Sequence, residues 1–534
     1  MSTRHESRNH VLLQTFEWYT EPPENTSHYA SLTQLLPWFC DIGITSLWLP
    51  PGCKANNPRG NGYDIYDLWD LGEFEQKGSK STKWGGRDDL NALIRKAKEL
   101  GVGVIWDAVL NHKQGGDSTE SGIWAVEVDP KDRRYEIRPP KQIEAWLRYD
   151  FPGREAEGMK YSGMKWRAHH FNGTDWDQRA QKNAIYKLID DPSTHPPFEQ
   201  PRKGWADDVD GEHGNNDYLL FSNIDHSHPE VRQDLFDWGC WMVDDVGVQG
   251  FRLDAVQHFS YSFTKQWIHH VRKACQQIGD SESFVVGEIW TGEVSRITKW
   301  LDAVQERQAP QVHAYDSPLL YNFSRISEDV RTKSKNADLR TILRGSLLEQ
   351  RADAAVTIVT NHDTQPGQTC FTPMMAILKP LFYAFILLRN EGYPCVFWGD
   401  IFGTNGPHAE GPPCLVLDEQ GRKRNVLLDL IYCRKLFAYG AQRDYWFSNS
   451  CIGWTRAGDE DDSGCAVLLN IGPKAAVQRM QIGKSGELWQ DALRRGHRDV
   501  KIDARGWGAF ESRSYAVAVY IRKDALEKSK FPVQ

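Results

Sequence analysis

The chain lacks any long apolar run. Its longest, LFYAFILL at 381–388, is far short of the roughly 20 residues that a membrane-crossing helix needs. Regular cysteine spacing is also missing. None of the ten cysteines forms a CxxC pair, which argues against a zinc ribbon or a disulfide framework. Several sit in apolar stretches, such as Cys40 in PWFCDIG and Cys465 in GCAVLLN, and read as small buried hydrophobes. The opening MSTRHESRNHVLLQTFEW has no apolar stretch of signal-peptide length. These features together lead to the expectation of a cytoplasmic protein, in which the N-x-[ST] sequons at Asn25, Asn172 and Asn322 would go unused. Excess positive charge is absent too. A net charge of −8 disfavours nucleic acid and anionic lipid as partners. There is no fixed-period repeat and no low-complexity tract.

Tryptophan is abundant, with 21 residues. It serves either a large aromatic core or a stacking surface for flat, weakly polar ligands such as sugar rings. The 534 residues suffice for two or three structural units. Short, nearly continuous apolar runs recur at 10–18, 44–50, 101–110, 250–256, 283–290, 312–318, 354–362 and 395–400, as expected of strands buried on both faces of a parallel sheet. Helical patterns alternate with them. One is DDLNALIRKAKELG at 88–101, which opens with acids and closes with Lys and Gly. Eight such strands predict a (β/α)8 TIM barrel.

The rhythm breaks once and then stops. About a hundred residues after His112, rich in Gly, Asp, Trp and Lys, are too long for a structureless loop and predict a small domain inserted after strand 3. Short alternating segments from about 441 to 523 predict a C-terminal antiparallel β-sandwich, followed by a loose tail. The expected division is 1–112 and 219–440 for the barrel, 113–218 for the insert and 441–534 for the C-terminal domain with its tail.

Polar residues gather where barrel strands end: Asp107 to His112, Arg252 to His258, Glu288, and Asn361 to Asp363. In such barrels the C-terminal strand ends form the reactive face. In GFRLDAVQH (250–258), Arg252 and Asp254 are two apart on a strand and point the same way, so the cation favours the charged carboxylate. Glu288 follows the apolar SFVVG, where burial favours a protonated acid. Two carboxyls flanking a bond are what glycoside cleavage requires. Asp363 beside His362 suits the holding of sugar hydroxyls. An ion-pair network closing the barrel, or a hard-cation site, would use the same residue types.

The motifs DAVLNH (107–112), GFRLDAVQH (250–258), GEIW (287–290) and TNHDT (360–364), in this order, resemble the alpha-amylase family of glycoside hydrolases. The resemblance extends over about 10–523, is closest to the bacterial liquefying-type members and suggests an intracellular, fungal-like branch. It is weakest around 113–210. It implies retaining endo-hydrolysis of internal α-1,4-glucosidic bonds in starch, glycogen or malto-oligosaccharides. In these terms Asp254 is the nucleophile, Glu288 the general acid/base and Asp363 the transition-state stabiliser. Arg252 orients Asp254, and Asp107 is the structural partner of the Arg. His112, His362, Tyr63 and Gln14 contact the sugar. A structural Ca2+ is implied at Asn111, Asp217, Asn223 and the carbonyl of His258. A monomer acting on an α-glucan is expected, with neither nucleic acid nor membrane as partner.

Two positions depart from the family pattern. Gln257 stands where liquefying members carry Lys, which predicts altered product-side sugar binding. Asn223 stands where they carry Asp, which predicts a weaker calcium site, since one anionic ligand is lost. The acidic WADDVDGEHGNNDY (205–218) reads equally as ligating or as a solvated loop, Asp217 excepted. Alternatives are a 4-α-glucanotransferase acting on malto-oligosaccharides and a non-catalytic α-glucan-binding barrel. The second fits poorly with three intact carboxylates.

Overall fold

A computed structural model describes residues 9–194, 202–277, 279, 283–417, 420–459 and 464–529. Eight parallel strands close into a barrel: β1 (Leu12–Gln14), β2 (Ser46–Trp48), β3 (Gly103–Ala108), β4 (Gly250–Leu253), β5 (Phe284–Gly287), β6 (Val312–Tyr315), β7 (Ala355–Ile358) and β8 (Tyr393–Phe397). Each pairs with the next in sequence, and β1 closes on β8. Every one of the eight apolar runs supplies one strand. Their residues are buried on both faces, as in β1, β2 and β7, where no residue is exposed.

The surrounding helices are α1 (His28–Ile42), α2 (Arg87–Leu100), α3 (Pro229–Trp241), α4 (Tyr261–Gln277), α5 (Val294–Val304), α6 (Ser317–Arg331), α7 (Lys379–Leu388) and α8 (Val426–Phe437). Helix α2 follows its sequence signals. Asp88 and Asp89 occupy its first turn, where the helix dipole favours them, and Gly101 caps it at φ 66°. Its buried residues Leu90, Leu93, Ile94 and Ala97 form one apolar stripe against the barrel.

Between β3 and β4 lies a six-stranded antiparallel sheet. Its strands stand in the order 112–113, 222–224, 171–177, 182–188, 118–127 and 141–148. The first of these begins four residues after β3 ends, so the sheet rises directly from the barrel mouth.

After α8 come a second six-stranded antiparallel sheet (442–448, 451–456, 465–470, 516–522, 488–491, 500–501) and a two-stranded ribbon (476–481 with 507–512). Met480 and Phe510 of the ribbon pack with Leu468, Ala518 and Tyr520 of the sheet in one core, which makes the two layers a sandwich. The expected loose tail is helical in part: Lys523–Lys528 form a short helix held by buried Leu526. Its final residues, 530–534, lie outside the described residues, as do residues 1–8.

None of the ten cysteines is in a disulfide, and seven of them are buried. No helix among the described residues is long and apolar enough to cross a membrane.

Candidate active site

Arg252 and Asp107 sit opposite each other on β4 and β3, and both side chains are fully buried. Arg252 Nη1 donates to Asp107 Oδ1 at 2.7 Å and to Asp254 Oδ1 at 2.6 Å. Its Nη2 lies 2.6 Å from Glu288 Oε2, an ion pair without the alignment of a hydrogen bond. One guanidinium therefore bridges three carboxyl groups from three adjacent strands. Asp107 is held on its other oxygen by Trp48 Nε1 and Tyr63 Oη, both at 2.9 Å.

Asp254 and Glu288 each stand one residue beyond the end of their strand, where the chain leaves the barrel; Asp254 lines the cleft, and Glu288 is buried beside it on Arg252. Ala255, next to Asp254, adopts φ 48°, a left-handed conformation unusual for a residue with a Cβ. Such strain gathers where a site fixes a side chain. Gly287, before Glu288, is required by close packing: a Cβ there would lie 2.3 Å from the Trp300 ring.

One cation does not balance this many carboxyls, so the site favours protons on some of them. Burial raises the pKa of Glu288 above the usual glutamate range, with the Asp254 charge adding to it and Arg252 opposing. Burial raises Asp363 well above the usual aspartate range, and Glu288 reinforces this. Asp363 nevertheless keeps 31% of its side chain open to the cleft, so its carboxyl is reachable.

His362 couples Asp363 to β1. Gln14 Nε2 donates to His362 Nδ1 at 2.9 Å. The ring proton therefore sits on Nε2, which lies 3.2 Å from Asp363 Oδ2. Burial, followed by the Arg252 charge, holds His362 well below the usual imidazole range, so it is a neutral donor. Its ring lies parallel to Tyr63 (centroids 5.3 Å, 4° between planes) and to Trp18 (6.0 Å, 6°). These three flat rings line a cleft of about 620 Å³ together with His112, Asp254 and Asp363.

His112 Nε2 hydrogen-bonds the Tyr63 carbonyl at 2.8 Å, and its Nδ1 is buried without a partner, so in this state the imidazole acts on Tyr63. Gln257 is buried, and its Oε1 also lacks a partner.

Trp18 is a site residue that the motifs do not single out. Its signal lies in the run LLQTFEW: an aromatic four residues after Gln14, just past the end of β1. Gln365 Oε1 accepts from the Trp18 N–H at 3.0 Å and ties this loop to the one that carries Asp363. The reach of Arg252 to Glu288 is equally hidden in the sequence, because the two lie on different strands.

A second polar cluster lies at the joint of insert and barrel. Asn111, Asp217 and Asn223 are fully buried, and one side-chain oxygen of each, Oδ1, has no partner. The other Asp217 oxygen accepts from Asn172 Nδ2 at 2.7 Å and Ala206 N–H at 2.8 Å. Asn223 Nδ2 donates to Asn172 Oδ1 at 2.8 Å, which turns its own Oδ1 away. Burial pushes Asp217 up to about 7. His258 acts through its ring: Nδ1 donates to the Asn216 carbonyl at 2.7 Å and fastens the chain beside Asp217. The acidic loop is divided: Asp210 is buried, while Asp207 and Asp208 are exposed. Asp210 is buried on Arg296 at 2.6 Å, and Asp208 accepts from Ser260 and from the Ser262 N–H at 3.0 and 2.7 Å.

A parallel barrel with carboxyl groups at adjacent strand ends, in a cleft walled by stacked aromatic rings, defines the class of barrel glycoside hydrolases. The family is fixed by comparison. The family model "Alpha amylase, catalytic domain" matches residues 22–196 and 205–458. The chain is 37% identical over 519 residues to an alpha-amylase of Bacillus licheniformis, covering 96% of this chain and 94% of that protein. It is 34% identical over 527 residues to the cytoplasmic alpha-amylase of Escherichia coli K12, covering 97% and 100%. Alpha-amylase I of Eisenia fetida, solved in a maltohexaose complex, shares the fold with TM-score 0.59 at 15% identity, covering 96% of this chain and 97% of that one. The chain belongs to the alpha-amylase family.

Proposed function

We propose that the protein is a retaining, endo-acting hydrolase of α-1,4-glucosidic bonds in starch, glycogen or malto-oligosaccharides. The observation that carries this is the single Arg252 guanidinium bridging Asp254 and Glu288 at the cleft. It sets two carboxyls side by side for a double displacement, in which their spacing is expected near about 5–5.5 Å.

Asp254 attacks C1 of the bound glucose while Glu288, kept protonated by burial, gives its proton to the departing oxygen. The glycosyl–Asp254 ester then yields to a water deprotonated by the same Glu288. Asp363, with His362 behind it, grips the hydroxyls of that glucose as the ring flattens. Tyr63 and Trp18 stack on it, Gln14 fixes His362, and His112 fixes Tyr63. Gln257 lies toward the leaving group, where an amide replaces a cation.

A calcium ion would be held by the unpartnered Asn111, Asp217 and Asn223 oxygens, with the His258 carbonyl as the further ligand that the family resemblance implies. Buried oxygens without partners are costly, and an all-oxygen set with one carboxylate suits a hard cation of modest affinity. Its contribution is structural, binding the insert to the barrel. The cysteines outside disulfides favour a reducing compartment, and with the similarity to a protein named cytoplasmic they support a cytoplasmic location. A monomer is the simplest state, since the barrel carries every group the reaction uses.

The test is incubation of maltoheptaose with the pure protein and calcium, with separation of products by length and Glu288→Gln as control. Shorter chains alone are expected, absent from the control. Products longer than the starting chain would instead make the protein a glucanotransferase. No reaction on soluble starch would return it to a binding role.

A further inference from the structure

Away from the cleft, at a second contact between insert and barrel, four side chains converge that the reaction does not use. His169 and His170 end a turn (168–170) just before the insert strand 171–177, while His228 caps α3 and Glu230 lies in its first turn. One ligating atom from each lies within 4.8 Å of all the others. The His169 and His170 rings are 4.0 Å apart, His170 and His228 4.8 Å, and His169 and His228 5.3 Å. His228 Nδ1 is buried with no partner. Three imidazoles gathered around a carboxylate gain little from one another as core packing, and their charged forms repel.

The hydrogen bonds separate the roles. The Arg167 N–H donates to His170 Nδ1 at 3.0 Å, so the His170 proton is on Nε2 and is directed at Glu230 Oε2, 2.9 Å away. His170 therefore orients the carboxylate, in the way that outer partners orient metal ligands. His169, His228 and Glu230 remain with lone pairs to offer, and His169 and Glu230 are exposed, which leaves an entry path.

We propose that His169, His228 and Glu230 bind a first-row divalent transition metal of the zinc class, with water as fourth ligand, and that the ion pins the insert to the start of α3. Two imidazoles and a carboxylate form a borderline donor set typical of such ions. It is unlike the all-oxygen Asn111–Asp217–Asn223 cluster and unsuited to calcium.

The experiment uses the full chain, stripped with chelator and then resupplied with excess calcium. Zinc chloride is titrated calorimetrically, and cobalt(II) is followed by its absorption. The double variant His169→Ala/His228→Ala serves as the reference for binding by cysteines. The native chain is expected to take up one additional equivalent with a tetrahedral cobalt spectrum lacking a thiolate band. Its thermal midpoint should rise with zinc while that of the variant does not. His170→Ala should keep the site but weaken it by about 10–100-fold. If the double variant fails to fold, His169→Gln and His228→Gln separately must lose the equivalent. Equal zinc uptake by native and variant chains, or displacement of the zinc by calcium, would overturn the assignment.

Discussion

Two buried polar clusters, one at the barrel mouth and one where the insert meets the barrel, differ in how they are completed. At the barrel mouth, Arg252 is ion-paired with Asp107, Asp254 and Glu288, and Asp107 is held by Trp48 and Tyr63, so every carboxyl has a partner in the chain although Arg252 Nε and Nη2 make no aligned hydrogen bond. At the insert joint, Asn111, Asp217 and Asn223 leave three oxygens with no partner. The first arrangement is preorganised by protein alone, so its carboxyls are aimed before substrate arrives, and such preorganisation is a large part of catalysis. The second is complete only with something bound, so its stability is tied to a ligand's concentration. Buried polar groups thus report two kinds of site, according to whether their partners are present in the chain.

The completed cluster is most vulnerable at its shared cation. Arg252→Met leaves buried carboxyls facing one another, and removing one partner of a buried pair typically costs about 3–5 kcal/mol. Urea unfolding should show that loss, together with near-complete loss of activity. Glu288→Gln should leave the fold intact and lower kcat about 10²–10⁴-fold, the usual range for losing general acid–base catalysis. The native pH profile belongs to the same group. Glu288 is active as an acid only when protonated, and burial raises its pKa. Activity should therefore persist above the usual glutamate range and fall as pH rises through that raised pKa.

At the joint the effect is smaller and depends on calcium. Calcium at about 100 times its Kd should stabilise the chain by about 2.7 kcal/mol, read as a rise in thermal midpoint. Asp217→Asn should abolish the rise, whereas Asn223→Asp should tighten the ion by restoring an anionic ligand. A chelator titration without loss of midpoint would count against the site. Smallest of all is the effect on stacking: Trp18→Ala should raise KM for malto-oligosaccharides by about 0.5–1.5 kcal/mol in binding with little change in stability.

Much of the barrel and its mouth is legible in the sequence. The barrel strands are buried on both faces and so read as apolar runs, and the reactive residues stand at their ends because the chain leaves the core there. The insert is legible only as an interruption. Its strand Ser118–Glu127 is mostly half-buried or exposed and carries weak alternation. The reach of Arg252 to Glu288 and the meeting of His169 with His228 depend on pairings between distant segments, which local patterns do not encode. The orphaned oxygens at the joint are implied by the family resemblance alone, since one-dimensional spacing does not indicate which amide lacks a partner.

The double displacement at Asp254 can be caught covalently. Glu288→Gln is incubated with α-maltotriosyl fluoride, whose fluoride leaves without acid help, and the protein is digested and mass-analysed. A maltotriosyl ester on Asp254 is predicted, formed as its carboxylate oxygen bonds C1 and fluoride departs, and it should persist because no base activates water. Label on another carboxylate, or turnover to a β-anomeric product with no adduct, would contradict Asp254 as the nucleophile of a retaining reaction.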